Sequence, residues 1–408
     1  MKFFSKAAAI AAFLTVPVSP LGPSAHAESP VVTTHGPMQK VIGPSGNIDS
    51  LYATVRGDDG IIHAYMSNSR TTYYDQKPDG TLTNARTILT NGASVNAVDH
   101  CGTHPVGAVY KDPNRKGHWI TFYHGERGDP NIYGGECQGN GPRNPTRWAI
   151  YRLETFNGGR TWLKRGLVLD QDAKFLNWPT SATDPNANQD DAGGPRLVIR
   201  GNYMYLFYRA VNRHSPHVQQ PSVARAPLSK LGMAGTWRKF YCAATCGFTE
   251  PGIGGQQSKV TGLGRTARGI TWNSYLHRYI AISAYSDGIR MWESVGTDVT
   301  SWTEVGYVVK WNAGNGWGKE CVHGTASERN DPMAAGYGAP IGWDYSSTET
   351  GQRFWVYFMY KPAGVCFGKR QLDRMEVTLG AASVVKYPRL TVSNGIEKHT
   401  PTWKRTRR

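Results

Sequence analysis

Apolar and polar positions along the chain fall into one recurring unit. An apolar strand is followed by a tight turn, and then by an aromatic strand that ends on a polar residue. The unit occupies Ser50–Arg56 with Ile61–Ser67, and then Val106–Tyr110 with His118–His124. It returns as Arg196–Arg200 with Tyr203–Arg209, around the turn Gly201-Asn202, and as Gly269–Trp272 with Arg278–Ala284. The last copy is Ile341–Asp344 with Phe354–Tyr360. Copies lie about 60–85 residues apart, room for four strands and a loop. No stretch sustains an apolar 3.6-residue period with caps, so long helices are not expected. Five four-stranded units predict an all-β chain folded as a five-bladed β-propeller. A pair of β-sandwiches is the alternative, but it would not repeat one hairpin five times.

A second marker closes three of the units: Thr161-Trp162, Thr236-Trp237 and Ser301-Trp302. The run Thr155-Phe-Asn-Gly-Gly-Arg-Thr-Trp162 resembles the Asp-box turn found in many propellers. In those proteins the turn is structural, so Trp162 is expected to pack between blades rather than to bind sugar.

The ends and the cysteines concern the compartment. Lys2 and Lys6, the apolar run Ala7–Val18 and the small-x-small triplet Ala25-His26-Ala27 read as a signal peptide over 1–27, with a mature start at Glu28. The apolar run is too short for a span of about 20 residues, so no membrane span is expected. Six cysteines suit an oxidising compartment, and closeness in sequence favours the pairs Cys101–Cys137, Cys242–Cys246 and Cys321–Cys366. The propeller is expected over 28–392 as one catalytic domain, and residues 393–408 as a basic tail. A secreted monomer is the resulting expectation.

Formal net charge is +16. Such a field draws anions. Basic residues stand singly among strands, without the clustered stripe of a nucleic-acid binder, so a polysaccharide, with an acidic one favoured, is the expected partner. No DxDxDG loop marks a calcium site, and no cofactor is expected; structural calcium in the channel is the alternative.

In a propeller blade the start of the first strand and the end of the second share the mouth of the central channel. Residues at those places include Asp49, Asp99, His100, His124, Glu126, Asp191, Arg196, Arg209, Arg268, Tyr285 and Asp287. Several carboxylates in one pocket can be held at unequal pKa, one acid and one base, as glycoside hydrolysis requires. A His–Glu–Arg group can instead abstract a sugar C5 proton while Arg neutralises the uronate.

Gly-Pro-Arg-Leu-Val-Ile-Arg-Gly-Asn-Tyr-Met-Tyr-Leu-Phe-Tyr at 194–208 resembles a blade of the glycoside hydrolase family 43 and 32 superfamily of five-bladed propellers. So does Asp112-Pro-Asn-Arg-Lys-Gly-His-Trp-Ile-Thr-Phe-Tyr123. The resemblance spreads over about residues 45–375 and is superfamily-wide. It implies a catalytic carboxylate opening the first blade, which falls on Asp49. It also implies a Glu acid before Gly-Pro, where this chain has Gly193-Gly194-Pro195, so the acid role would pass to Asp191 or Glu126. Three functions follow. A hydrolase would use Asp49 and Asp191, with Arg196, Arg209, Arg268 and Tyr285 around the substrate. A polysaccharide lyase would use His100, His124 and Tyr285. A non-catalytic lectin would bind through Trp and Tyr faces, but it should repeat its sugar contacts in every blade, and the mouth residues differ from blade to blade.

Overall fold

The computed structural model describes residues 31–46, 48, 50–67, 71–89, 107–128, 146–170, 192–212, 218–264, 269–285, 287–311, 335–360, 370–380 and 389–390. Two N-terminal strands, β1 (Val31–His35) and β2 (Gln39–Gly46), precede the first blade. Blade 1 is β3 (Ala53–Arg56), β4 (Ile62–Ser67), β5 (Thr71–Gln76) and β6 (Leu82–Leu89). Blade 2 is β7 (Tyr110–Lys111), β8 (Trp119–Gly128), β9 (Thr146–Thr155) and β10 (Leu163–Leu169). Blade 3 has five strands: β11 (Ala192–Arg200), β12 (Tyr203–Asn212), β13 (Val218–Pro227), β14 (Arg238–Cys242) and β15 (Cys246–Pro251). Blade 4 is β16 (Gly269–Asn273), β17 (Arg278–Tyr285), β18 (Gly288–Ser294) and β19 (Trp302–Trp311). The last blade holds β20 (Ala335–Gly342), β22 (Arg353–Tyr360) and β23 (Arg370–Gly380), while the short β21 (Glu349–Thr350) and β24 (Arg389–Leu390) join the blade 4 sheet beside β16 and β19. No α-helix occurs among the described residues.

All five expected hairpins form, each as an antiparallel pair. Local chemistry explains them: Arg200 pairs with Tyr203 across Gly201-Asn202, and Gly201 takes φ +54°, the positive φ that such two-residue loops need. The ring closes through non-local pairing. Both β1 and β2 lie antiparallel to β23, so the chain's N-terminal strands complete blade 5. Arg374 secures this closure: it donates to Gln39 Oε1 (2.9 Å), Tyr357 OH (3.2 Å) and the Pro78 carbonyl (3.2 Å), and its guanidinium lies 4.1 Å over Trp355.

The core is five separate apolar clusters, one between each pair of neighbouring blades. The sequence markers sit in these seams. Trp162 meets Tyr65 of blade 1 edge-on at 5.8 Å, Trp237 meets Phe122 of blade 2 at 5.3 Å, and Trp302 meets Phe207 of blade 3 at 5.8 Å. Each Trp therefore reaches back to the second strand of the preceding blade, as expected of a packing residue. The turn before Trp162 is held by its own side chains. Thr155 Oγ1 accepts the Asn157 and Gly159 N–H groups (3.3 and 3.2 Å), and Asn157 Oδ1 accepts the Thr161 N–H (3.0 Å). Cys242 and Cys246 form a disulfide across the turn from β14 to β15; the other four cysteines lie outside the described residues, as do 1–27 and 393–408.

One segment spans the channel opposite the mouth. Between β20 and β22, residues 343–350 leave blade 5 and touch every other blade. Thr54 of blade 1 donates to the Tyr345 carbonyl (2.8 Å), and the Val109 N–H of blade 2 donates to Ser347 Oγ (3.2 Å). Arg196 of blade 3 donates to the Ser347 carbonyl (2.8 Å), and β21 runs parallel to β16 of blade 4.

Candidate functional site at the channel mouth

Strand register fixes which residues share the mouth. Gly193 pairs with Arg209, Tyr285 pairs with Gly288 at the top of blade 4, and Ala335 pairs with Tyr360. On blade 1, Ser50 Oγ accepts the Ser67 N–H at 2.8 Å, and the Arg370 guanidinium donates to the Ile48 carbonyl at 3.1 Å. These bonds anchor both chain neighbours of position 49. Asp49 itself lies outside the described residues, as do Asp99, His100, Asp191 and Arg268. Glu126 is described through its backbone alone, paired across β8 and β9 with Trp148.

The best-defined part of the mouth is a stack between blades 2 and 3. His124 is buried, and its ring lies 4.4 Å from the Trp148 ring at 20°. The Arg209 guanidinium lies 4.7 Å over the same indole. His124 Nδ1 accepts the Gly194 N–H at 2.9 Å. A backbone N–H can only donate, so this contact needs a lone pair on Nδ1 and leaves the ring proton on Nε2. In this tautomer Nε2 carries the proton, so it can donate to a ligand but cannot serve as a base.

The same stack explains the departure at Gly193. A Cβ built there would lie 2.2 Å from Trp148 Cε3 and 2.9 Å from Cζ3. The indole occupies the space that a side chain at 193 needs, so the acid that the resemblance implies has no room there.

Blade 4 contributes a polar rim. Tyr307 OH donates to Asp287 Oδ2 (2.5 Å), Arg290 donates to the same oxygen (2.7 Å), and the Arg290 guanidinium lies 5.0 Å over Tyr285. Partial burial would raise the Asp287 carboxyl, but hydrogen bonds from Tyr307 and Arg290 hold it below the usual range. This is a carboxylate kept ionised beside an aromatic ring and a cation.

Arg196 stands elsewhere than the strand-end rule places it. It is 0% exposed, two positions below the mouth on the register with β12, where it pairs with Phe207. Its Nε donates to the Ile270 carbonyl (3.0 Å), and Nη2 donates to those of Pro340 (3.0 Å) and Ser347 (2.8 Å). A bulge between Gly193 and Arg196 turns the side chain into the channel, so it ties blades 3, 4 and 5 instead of facing a substrate at the rim. Burial lowers its pKa to about 9.

Trp148, Arg290, Tyr307 and Arg370 did not emerge from the sequence. Trp148 and Arg370 lie on third strands, β9 and β23, whose starts also reach the mouth. Extending the strand-end rule to third strands would have found them. Among the described residues, no cluster of His, Cys, Asp and Glu has the makings of a metal site, and no helix is long and apolar enough to cross a membrane.

These features define a five-bladed propeller with an asymmetric polar mouth. No known family pattern matches the sequence, and no curated protein matches it. Similar solved structures include an α-L-arabinofuranosidase from Lactobacillus brevis, at 10% identity and TM-score 0.46, covering 85% of this chain and 97% of that one. A GH43_1 enzyme from Xanthomonas citri matches at 10% identity and TM-score 0.49, covering 86% and 93%. An α-L-arabinanase from Cellvibrio cellulosa, complexed with arabinohexaose, matches at 10% identity and TM-score 0.44, covering 85% and 100%.

Proposed function

We propose that the protein is a secreted glycoside hydrolase that cleaves a polysaccharide at the channel mouth. Asp49 and Asp191 serve as the carboxylate pair, and Arg209 and Tyr285 bind the substrate. The observation that carries this reading is the asymmetry of the mouth. The His124–Trp148–Arg209 stack sits between blades 2 and 3, and the Asp287–Arg290–Tyr307 group on blade 4, with no repeat of either among the described residues. A lectin of repeated subsites would show the opposite. The partly buried guanidinium of Arg209, held over Trp148 at the mouth, favours a glycan with acidic groups.

Elimination from a uronate is the second reading, resting on His100, His124 and Tyr285. The hydrogen bond from Gly194 to His124 Nδ1 weighs against His124 as the base. One experiment separates the two. The purified protein is assayed on neutral and acidic glycans, and products are weighed by mass spectrometry. Hydrolysis adds one water per cleaved bond, and Asp49→Asn or Asp191→Asn should lower turnover about 10²–10⁴-fold. Unsaturated, ultraviolet-absorbing products, or full turnover in both variants, would overturn the hydrolase reading.

A further inference from the structure

Arg196 carries a charge that the described protein does not balance. A guanidinium has five N–H donors. Nε and both Nη2 hydrogens are accounted for by the carbonyls of Ile270, Pro340 and Ser347. Nη1 is buried with no hydrogen-bond partner, and no carboxylate among the described residues forms an ion pair with it. The three carbonyls are neutral, so they orient the cation without cancelling its charge. Isolating a full charge from water costs several kcal/mol unless a counter-charge or further hydrogen bonds accompany it. Arg152, by contrast, is buried with the Glu154 carboxylate at 3.1 Å.

We propose that Arg196 Nη1 is the core of an anion site inside the central channel, taking a small monovalent anion: chloride, or the carboxylate of an acidic sugar. The site goes beyond the proposed hydrolase activity and stands without it. Its chemistry is the two remaining N–H donors of one guanidinium, fixed in direction because the other three are held by blades 4 and 5 and by the segment that spans the channel. The fixed charge supplies the attraction. Blade 3 carries Arg196, blade 4 carries Ile270 and blade 5 carries Pro340, so a bound anion also draws three blades together.

The test uses the full chain at constant ionic strength. Sodium chloride replaces sodium methanesulfonate while the thermal midpoint and the ³⁵Cl line width are followed. A saturable rise in midpoint of about 3 °C is expected, from stabilisation by a ligand that binds only the folded state, with broadening of the chloride resonance. Arg196→Lys should abolish both effects, because the three donors of an ammonium match the three carbonyls and leave none over. Glucuronate is then added. If it displaces chloride and raises the midpoint in the parent protein alone, the site takes a sugar carboxylate; if chloride alone acts, it takes an inorganic anion. Equal broadening in parent and Arg196→Lys, or none in either, overturns the proposal. Should Arg196→Lys not fold, crystals of the unmodified protein soaked in bromide decide. An anomalous peak within hydrogen-bond reach of Nη1 supports the site, and an ordered water there overturns it.

Discussion

Glu154, at the end of blade 2 away from the mouth, gives the fold a measurable acid sensitivity. Its carboxylate accepts hydrogen bonds from His118 Nε2 (2.8 Å), Arg152 Nη2 (3.1 Å) and Arg165 Nε (2.5 Å), while His118 Nδ1 faces Asp112 at 2.8 Å. Burial alone would raise the Glu154 pKa, but Arg152, His118 and Arg165 hold it at about 2, against an ordinary value of 4.5. A depressed carboxylate contributes stability above its unfolded pKa and loses it as pH falls toward the folded one. The window is therefore about pH 4.5 down to about 2. The displacement corresponds to about 3 kcal/mol. Arg165 is 42% exposed, so its share is screened and about 2–3 kcal/mol is the better expectation. Glu154→Gln should cost that much in urea unfolding at pH 7, followed by tryptophan fluorescence. At pH 3 the gap should shrink by more than half, because protonation is then removing the parent's advantage. A gap of the same size at both pH values would refute the assignment, and so would a neutral substitution at pH 7.

Two further substitutions test packing at the mouth and at the ring closure. Gly193→Ala pushes a methyl into Trp148 and should cost about 1–3 kcal/mol, lowering the thermal midpoint by several degrees; in a Trp148→Ala background the cost should vanish, and equal costs in both backgrounds would remove the steric explanation. Arg374→Met deletes the donors to Gln39, Tyr357 and Pro78 and should cost about 2–4 kcal/mol. Limited proteolysis should then cut within residues 31–46 sooner than in the parent, and unchanged cleavage there would count against Arg374 as the clasp.

The hairpins were legible because their causes are local. Alternation sets the two strands, and a short turn such as Gly201-Asn202 sets the register. The three Trp markers were legible for the same reason, each following Thr or Ser at a strand start. Ring closure was not. Val31–Gly46 contains Gly36, Pro37, Gly43 and Pro44, and nothing in that pattern names its partner. Its place follows from the free edge of β23, a strand more than 300 residues away. Pairing at that distance depends on which edge the finished ring leaves open, a property of the whole fold.

At the mouth, the strand-end rule placed His124, Arg209 and Tyr285 in the closing half of second strands, where alternation is regular. It misplaced Arg196 because it assumed unbroken alternation in β11. The pairs Gly193–Arg209 and Arg196–Phe207 advance three residues on one strand and two on the other. That extra residue re-aims the side chain, converting an apparent rim residue into one whose guanidinium crosses toward blades 4 and 5. Pro195 suits such a break, since proline donates no ladder hydrogen bond and is tolerated at bulges. The same break puts Gly194 at φ +59° and aims its N–H at His124 Nδ1. One irregular strand start thus accounts for three features: a glycine pressed against Trp148, a histidine whose Nδ1 is held as an acceptor, and an arginine sent into the channel. Restoring regular alternation at 193–196 would undo all three together, so Gly193-Gly194-Pro195 acts as one structural unit that shapes this mouth.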